Sequence, residues 1–180
     1  MAARTWHIRQ LRPDDIDAVA ALEREAYAAH GLTEGPAALR ARSEASPSTC
    51  FAVEGGGTLA GYLLALPYPP DRSPDLGHTG QRVAHHSGNL HLHDLVIAPR
   101  HRGRGLARAL LQRLGEAARA RQHDRISLVA VAGSRAFWTT RNFRPHPDVP
   151  LPPAYGTDAV YMSAAVRLPG DGTPRIERAC

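Results

Sequence analysis

The sequence predicts one α/β domain, a mixed sheet of about six to seven strands covered by about four helices. Three observations carry this expectation. Short apolar segments, alternating or continuous and bounded by glycine and proline, recur along the chain as strands do. Other segments carry helix signals: apolar spacing of three and four residues, or an opening proline or serine. Finally, a triple glycine (Gly55, Gly56, Gly57) joins two strands after two helices, which argues against a purely alternating βαβ chain and for a mixed sheet. The chain has 180 residues, the size of a single domain with a two- or three-layer core. Its expected extent is 1–168, with 169–180 as a frayed tail.

Residues 6–11 alternate and form the first strand. Pro13, Asp14 and Asp15 then open a helix. Ile16, Val19, Leu22, Glu23, Ala26 and Tyr27 follow at mostly helical spacing, so this helix runs to about His30 and ends at Gly31. A second, shorter helix spans 36–45 and stops before Pro47. Strands at 49–54 and 58–66 form the glycine-linked hairpin. Residues 67–88, rich in proline, glycine and histidine, form a long loop suited to gating a substrate or to solvated insertion. A central strand at 89–97 precedes the helix 103–120, whose buried stripe is Leu106, Leu110, Leu111 and Leu114. A parallel strand follows at 126–131. Ser134 caps a short helix, 135–140, and Asn142 closes it in the left-handed conformation. Phe143 starts the next extended piece, and 158–168 is the last strand.

Composition excludes several classes. No apolar run approaches the ~20 residues that span a bilayer, and the first residues lack a signal-peptide core, so the expectation is a cytoplasmic protein without a membrane partner. Cys50 and Cys180 are too few for a disulfide framework or a zinc cluster, and neither lies in a nucleophile context. The formal charge is +5, and all 22 basic residues are arginine. They are scattered except at Arg100, Arg102, Arg104 and Arg108. That concentration sits on a glycine turn, which favours a local phosphate site over a nucleic-acid face.

The turn is Arg100-x-x-Gly103-x-Gly105, between the central strand and its helix. It lacks the Gly-Lys-Ser/Thr end of a Walker loop. It also fails the dinucleotide fingerprint, because Arg108 stands where the third glycine belongs and the preceding strands form a hairpin. What remains is a glycine pair that lets backbone approach a pyrophosphate at a helix N-terminus, among arginines. On the strand before it, His91 and His93 lie two residues apart and share a face. Bases beside the anion site are one reading. A structural pair in the core is a second, and a metal site completed by His85 and His86 is a third, weaker for want of a Cys or Glu. Simple alternation puts Asp94 on the opposite face from His93, packed there or paired with an arginine.

The run Leu95-Val96-Ile97-Ala98-Pro99-Arg100-x-x-Gly103-x-Gly105-Leu106-Ala107-x-x-Leu110-Leu111 resembles the acetyl-coenzyme A motif of the GCN5-related N-acetyltransferase (GNAT) superfamily. Residues 136–143, which include Phe137, Trp138, Asn142 and Phe143, resemble its later Phe-Tyr-x-x-x-Gly-Phe motif. The order of elements from Trp6 to Leu168 fits the same fold, in which the central parallel strands splay. His91 and His93 before Leu95, and the long loop before them, are similar to arylalkylamine N-acetyltransferases. The resemblance implies that backbone groups of Leu95, Val96 and Ile97 hold the pantetheine arm and thioester carbonyl. It further implies that amides of His101, Arg102, Gly103, Arg104, Gly105, Leu106 and Ala107 cradle the pyrophosphate, with Arg100 or Arg102 adding charge. Tyr27, the 67–88 loop and Trp138 would form the acceptor pocket.

The chemistry then follows. An amine is protonated at neutral pH and attacks a thioester only after losing its proton; histidine, with an ordinary pKa of ~6.5, can take it. Backbone N–H groups would stabilise the oxyanion. The superfamily's frequent acid, a tyrosine on the late helix, is replaced by Trp138, which cannot titrate usefully. Tyr155 or Tyr161 would protonate the leaving thiolate, or it would leave unassisted, as a thiol of pKa ~8.5 can. The expectation is therefore an acetyl-coenzyme A-dependent N-acetyltransferase acting on a small-molecule primary amine without a metal, as a monomer or homodimer. Three alternatives stand beside it: a peptide or protein N-acetyltransferase, a coenzyme A-binding regulator without turnover, and a nucleic-acid binder.

Overall fold

The structure is a computed structural model that describes residues 5–79 and 87–166. The expected tail at 169–180, and His85 and His86, lie outside the described residues. The elements are β1 (His7–Gln10), α1 (Ile16–Tyr27), α2 (Pro36–Ala45), β2 (Phe51–Gly55), β3 (Thr58–Pro67), β4 (Asn89–Ile97), α3 (Leu106–Ala120), β5 (Arg125–Ala130), α4 (Arg135–Thr139), β6 (Arg144–His146) and β7 (Val160–Ala165). The strands make one seven-stranded sheet in the order β1-β2-β3-β4-β5-β7-β6. β4 and β5 pair in parallel, and every other pair is antiparallel. This is the mixed α/β architecture expected from the sequence. No helix among the described residues is long and apolar enough to cross a membrane.

Alternation along the strands divides the core between the two faces of the sheet. Phe51, Leu63 and Leu92 pack with Leu106, Leu110 and Leu114 of α3, and Trp138 and Phe143 join this side. Ala52, Tyr62, Leu64 and Val96 face the other way, against Ile16 and Val19 of α1 and Leu39 of α2. The start of α1 is tied to the sheet edge: Arg9 reaches Asp15 at 2.7 Å and Glu54 at 2.7 Å. A turn of 3-10 helix, Ala28–His30, extends the helix to Gly31, whose φ of 67° ends it. Asn142, with φ of 65°, takes the left-handed position after α4 as its residue type suggested. Ser134 differs from expectation. Its hydroxyl makes no cap bond to α4; it accepts the Val131 N–H at 3.2 Å and so closes the preceding turn.

Two irregularities shape everything that follows. First, Leu64 pairs with Asp94 while Ala65 pairs with Leu92, so His93 is the extra residue of a β-bulge. The bulge interrupts alternation, and both His93 and Asp94 reach the α1–α2 side: His93 meets Glu34, and Asp94 meets Tyr27 and Tyr62. The expectation that they occupy opposite faces is thus overturned by one added residue. Asp94 accepts from two phenols and, among the described residues, is not paired with an arginine. Second, β4 and β5 pair only from Asn89–Arg125 to His91–Ser127. Beyond that point the two strands continue without a shared ladder, and among the described residues the β5-facing backbone of the second half of β4 has no strand partner.

Gly61 fixes where β3 meets this half of β4. It pairs with Ile97, and a Cβ there would sit 2.6 Å from the Val96 carbonyl oxygen and 2.5 Å from Ile97 Cδ1. Gly61→Ala is expected to push the strands apart and cost about 1–3 kcal/mol. A urea midpoint that does not fall would contradict this.

Candidate active site

At the end of β4 the Ala98 N–H donates to the Ala60 carbonyl at 2.8 Å, and a 3-10 turn, Pro99–His101, follows. Gly103 and Gly105 then adopt φ of 72° and 76°, and α3 opens at Leu106. Such φ values are strained for any residue with a side chain. At neither glycine would a Cβ meet another atom within 4 Å, so open space lies before the turn. Amide groups there, with the positive end of α3, suit an anion.

A cavity of about 640 Å³ runs from this turn, through the gap between β4 and β5, to the α1–α2 side. Of the residues expected to hold a cofactor, Arg100 and Arg104 do not line it; Leu95, Val96, Ile97, His101, Arg102, Gly103, Gly105, Leu106 and Ala107 do. Arg100 instead turns its Nε toward His101 Nε2 at 3.1 Å. Arg102 is anchored by Nε on the Ile97 carbonyl at 3.2 Å. On the far wall Trp138 packs edge-on against Phe137, and Arg141 lies 3.4 Å above the Phe137 ring.

The two histidines are separated. His93 lines the cavity, whereas His91 does not and is 1% exposed. His91 Nδ1 is hydrogen-bonded to Ser127 Oγ at 3.0 Å. Burial, then the neighbouring His93 and Arg42, pushes its pKa well below the ordinary 6.5, so it stays neutral. The tyrosines divide in the same way. Tyr155 lines the cavity and donates to the Pro74 carbonyl at 2.6 Å. Tyr161 lies behind it, fully buried, and its hydroxyl accepts the Asp71 N–H at 3.0 Å. Burial raises the pKa of both phenols. Tyr27 and Trp138 both line the cavity.

Sequence reasoning missed the residue that holds His93 in place. Glu34, between α1 and α2, bonds His93 Nε2 through Oε1 and Arg42 through Oε2. It also accepts the Gly77 N–H at 2.6 Å, and Arg42 donates to the Asp75 carbonyl at 2.7 Å. Burial alone would raise the Glu34 pKa, but His93 and Arg42 hold it down to about 2. With Glu34 ionised, Nε2 of His93 carries hydrogen and Nδ1 is the nitrogen able to accept a proton. Nothing in the sequence around Glu34 signals this role. For Glu23, which also lines the cavity, a signal existed: it is a carboxylate on the buried stripe of α1. Among the described residues, no group of three or more His, Cys, Asp or Glu side chains is arranged to hold a metal.

The sequence profile of the acetyltransferase (GNAT) family matches residues 16–143. No curated protein matches the chain by sequence. Among solved structures, the chain is similar to the loading GNATL domain of CurA from Lyngbya majuscula, at 14% identity over 90% of this chain and 98% of that one, with a TM-score of 0.77. It is similar to the ribosomal-protein-S18-alanine N-acetyltransferase from Escherichia coli at 17% identity, 94% and 99% coverage and a TM-score of 0.64. It also resembles the PaiA N-acetyltransferase from Thermoplasma acidophilum in complex with coenzyme A, at 12% identity, 89% and 99% coverage and a TM-score of 0.66. At these identities the likeness is one of fold.

Proposed function

Because the chain belongs to the acetyltransferase (GNAT) family, we propose that it transfers the acetyl group of acetyl-coenzyme A to the primary amine of a small molecule. One observation carries this reading: a single cavity joins the glycine turn, the unpaired half of β4 and His93. The room before Gly103 and Gly105 fits a pyrophosphate, and the free β4 backbone fits an amide-bearing arm laid along it as an extra strand. Acetyl-coenzyme A supplies an activated thioester carbonyl.

The chain's own groups then have defined tasks. Nδ1 of His93 takes the proton that an ammonium must lose before it can attack. Glu34 orients the ring and balances the charge it gains. Backbone N–H groups of Leu95 and Ile97 point away from β3 and are the donors nearest the reacting carbonyl in this reading, stabilising charge that builds on its oxygen; the Val96 N–H, like that of Ala98, is turned to β3. Of the two candidate phenols, Tyr155 is the one in the cavity wall, but its O–H is given to the Pro74 carbonyl and burial makes it a weaker acid, so in this reading the thiolate leaves unassisted. The reading therefore rests on His93 rather than on both histidines. A small acceptor is favoured over a peptide because the segment around Leu76 closes over the acceptor side. Pro74, Asp75 and Gly77 are pinned there by Tyr155, Arg42 and Glu34 respectively, and Leu76 itself forms part of the cavity wall.

Two measurements test this. A thiol-release screen over amines, aminoglycosides, polyamines and peptides is expected to show coenzyme A release with small amines and acetylation of the amine. Release with no acceptor, or only with peptides, would refute the reading. Gly103→Val places a branched side chain at φ of 72° in the space left for the pyrophosphate. It is expected to weaken coenzyme A binding by about a hundredfold or more, roughly 2.7 kcal/mol, with an unchanged circular dichroism spectrum. Retained affinity by calorimetry would refute the cradle.

A further inference from the structure

The acceptor end of the cavity holds two buried carboxyl groups, and among the described residues no cation is bonded to either. Glu23 and Asp94 both line it, at 2% and 6% exposure. Glu23 has one hydrogen bond, from the Glu34 backbone N–H to Oε1 at 2.5 Å; among the described residues nothing donates to its other oxygen. Among the described residues Asp94 receives two donors, both neutral, the hydroxyls of Tyr27, at 2.8 Å, and Tyr62. Arg42 is committed to Glu34 and the Asp75 carbonyl. Toward the turn and α4 the cavity is also lined by Arg102, Arg108 and Arg141; Arg102 and Arg141 are bonded to backbone carbonyls there, and none of the three forms an ion pair with either carboxylate. Burying a carboxylate without a cation costs several kcal/mol, so such groups persist where something completes them. Burial raises the pKa of Glu23 and Asp94, and for Glu23 the neighbouring Asp94 and Glu34 raise it further. Beside these oxygens the wall is aliphatic: Ala26, Leu32 and Leu76.

From the unpartnered Glu23 oxygen, the Asp94 carboxylate and this aliphatic wall, we infer that the acceptor is an aliphatic diamine or polyamine. One amino group is the nucleophile at His93; a second, still protonated, is held by Glu23 and Asp94, and the methylenes between them lie on Ala26, Leu32 and Leu76. This rests on the proposed acetyl transfer and names its substrate class. A monoamine of equal length leaves the carboxylates uncompensated and forfeits the ion pair. An anionic acceptor such as an amino acid is repelled.

The test compares 1,5-diaminopentane with pentylamine and 5-aminopentanoate by thiol release. The diamine is expected to exceed pentylamine at least tenfold in kcat/KM, mostly through KM, and 5-aminopentanoate to be the poorest. Glu23→Gln keeps an oxygen for the Glu34 N–H but removes the charge, and is expected to cut the diamine-to-pentylamine ratio at least tenfold. Calorimetry on the coenzyme A-loaded protein reads the same preference without turnover. Pentylamine turning over as well as the diamine, or a ratio unmoved by Glu23→Gln, overturns this inference while leaving amine acetylation standing. Absence of thiol release with every amine overturns both.

Discussion

Glu34→Ala is expected to lower stability by about 3–5 kcal/mol, the range for breaking a buried ion pair from one side. The substitution leaves the Arg42 guanidinium, 2% exposed, without its carboxylate and strips His93 and the Gly77 N–H of their acceptor. For a chain of this size the melting temperature should fall by roughly 6–20 °C. The pH dependence follows in sign. Glu34 has its folded pKa lowered to about 2 from an ordinary 4.5, so its contribution is complete above about 4.5 and is lost as pH falls toward 2. His91 adds a loss beginning nearer neutrality: its folded pKa lies below 6.5, so the unfolded chain binds the proton first as pH falls. Urea midpoints from pH 7 to 3 should drop steeply for the natural protein and less steeply for Glu34→Ala. Equal midpoints at pH 7 would show that the Glu34–Arg42 pair does not stabilise the fold.

The fold was largely legible because its signals are local. The stripe of α3, the proline openings of α1 and α2 and the triple glycine of the hairpin each act over a few residues. Strand β4 was read at its observed bounds, since an apolar run ending at Ala98-Pro99 has no other plausible edge. The glycine turn was legible for the same reason: positive φ at Gly103 and Gly105 is a property of those positions alone. What resisted was the bulge at His93. No residue type announces it, because the extra residue is accommodated by β3 across the ladder, between Leu64 and Ala65.

That one residue explains why the site was read less well than the fold. Alternation from His91 placed His91 and His93 in equivalent positions and sent Asp94 away from both. In the structure His91 belongs to the ladder, hydrogen-bonded to Ser127 at the last β4–β5 pair. His93, two residues beyond the end of that pairing, falls where the strands part. Asp94 joins it on the α1–α2 side and brings Tyr27 and Tyr62. Glu34 and Arg42 come from a separate segment, brought to β4 by the packing of α1 and α2 on the sheet, and a pattern confined to one strand could not contain them.

The separation of the two histidines makes the last prediction a sharp one. Near neutral pH, His93→Ala is expected to lower kcat/KM by about 10²–10⁴, the usual share of a positioned proton acceptor. Coenzyme A affinity should be retained, because the glycine turn is built by other residues. The deficit should shrink as pH rises, since more of the amine then arrives without its extra proton. Added imidazole should restore part of the rate, as it does not depend on the ring's packing. His91→Ala opens a hole behind the cavity and breaks the bond to Ser127, so its main effect should be a lower melting temperature. The loss in kcat/KM from His93→Ala should exceed that from His91→Ala at least tenfold. Equal losses would return the proton to a relay through both rings, and no loss from His93→Ala would remove histidine from the chemistry. A neutral ring at His91 and an ionised Glu34 behind His93 favour the unequal outcome. Only the second imidazole has a carboxylate to balance the charge it gains.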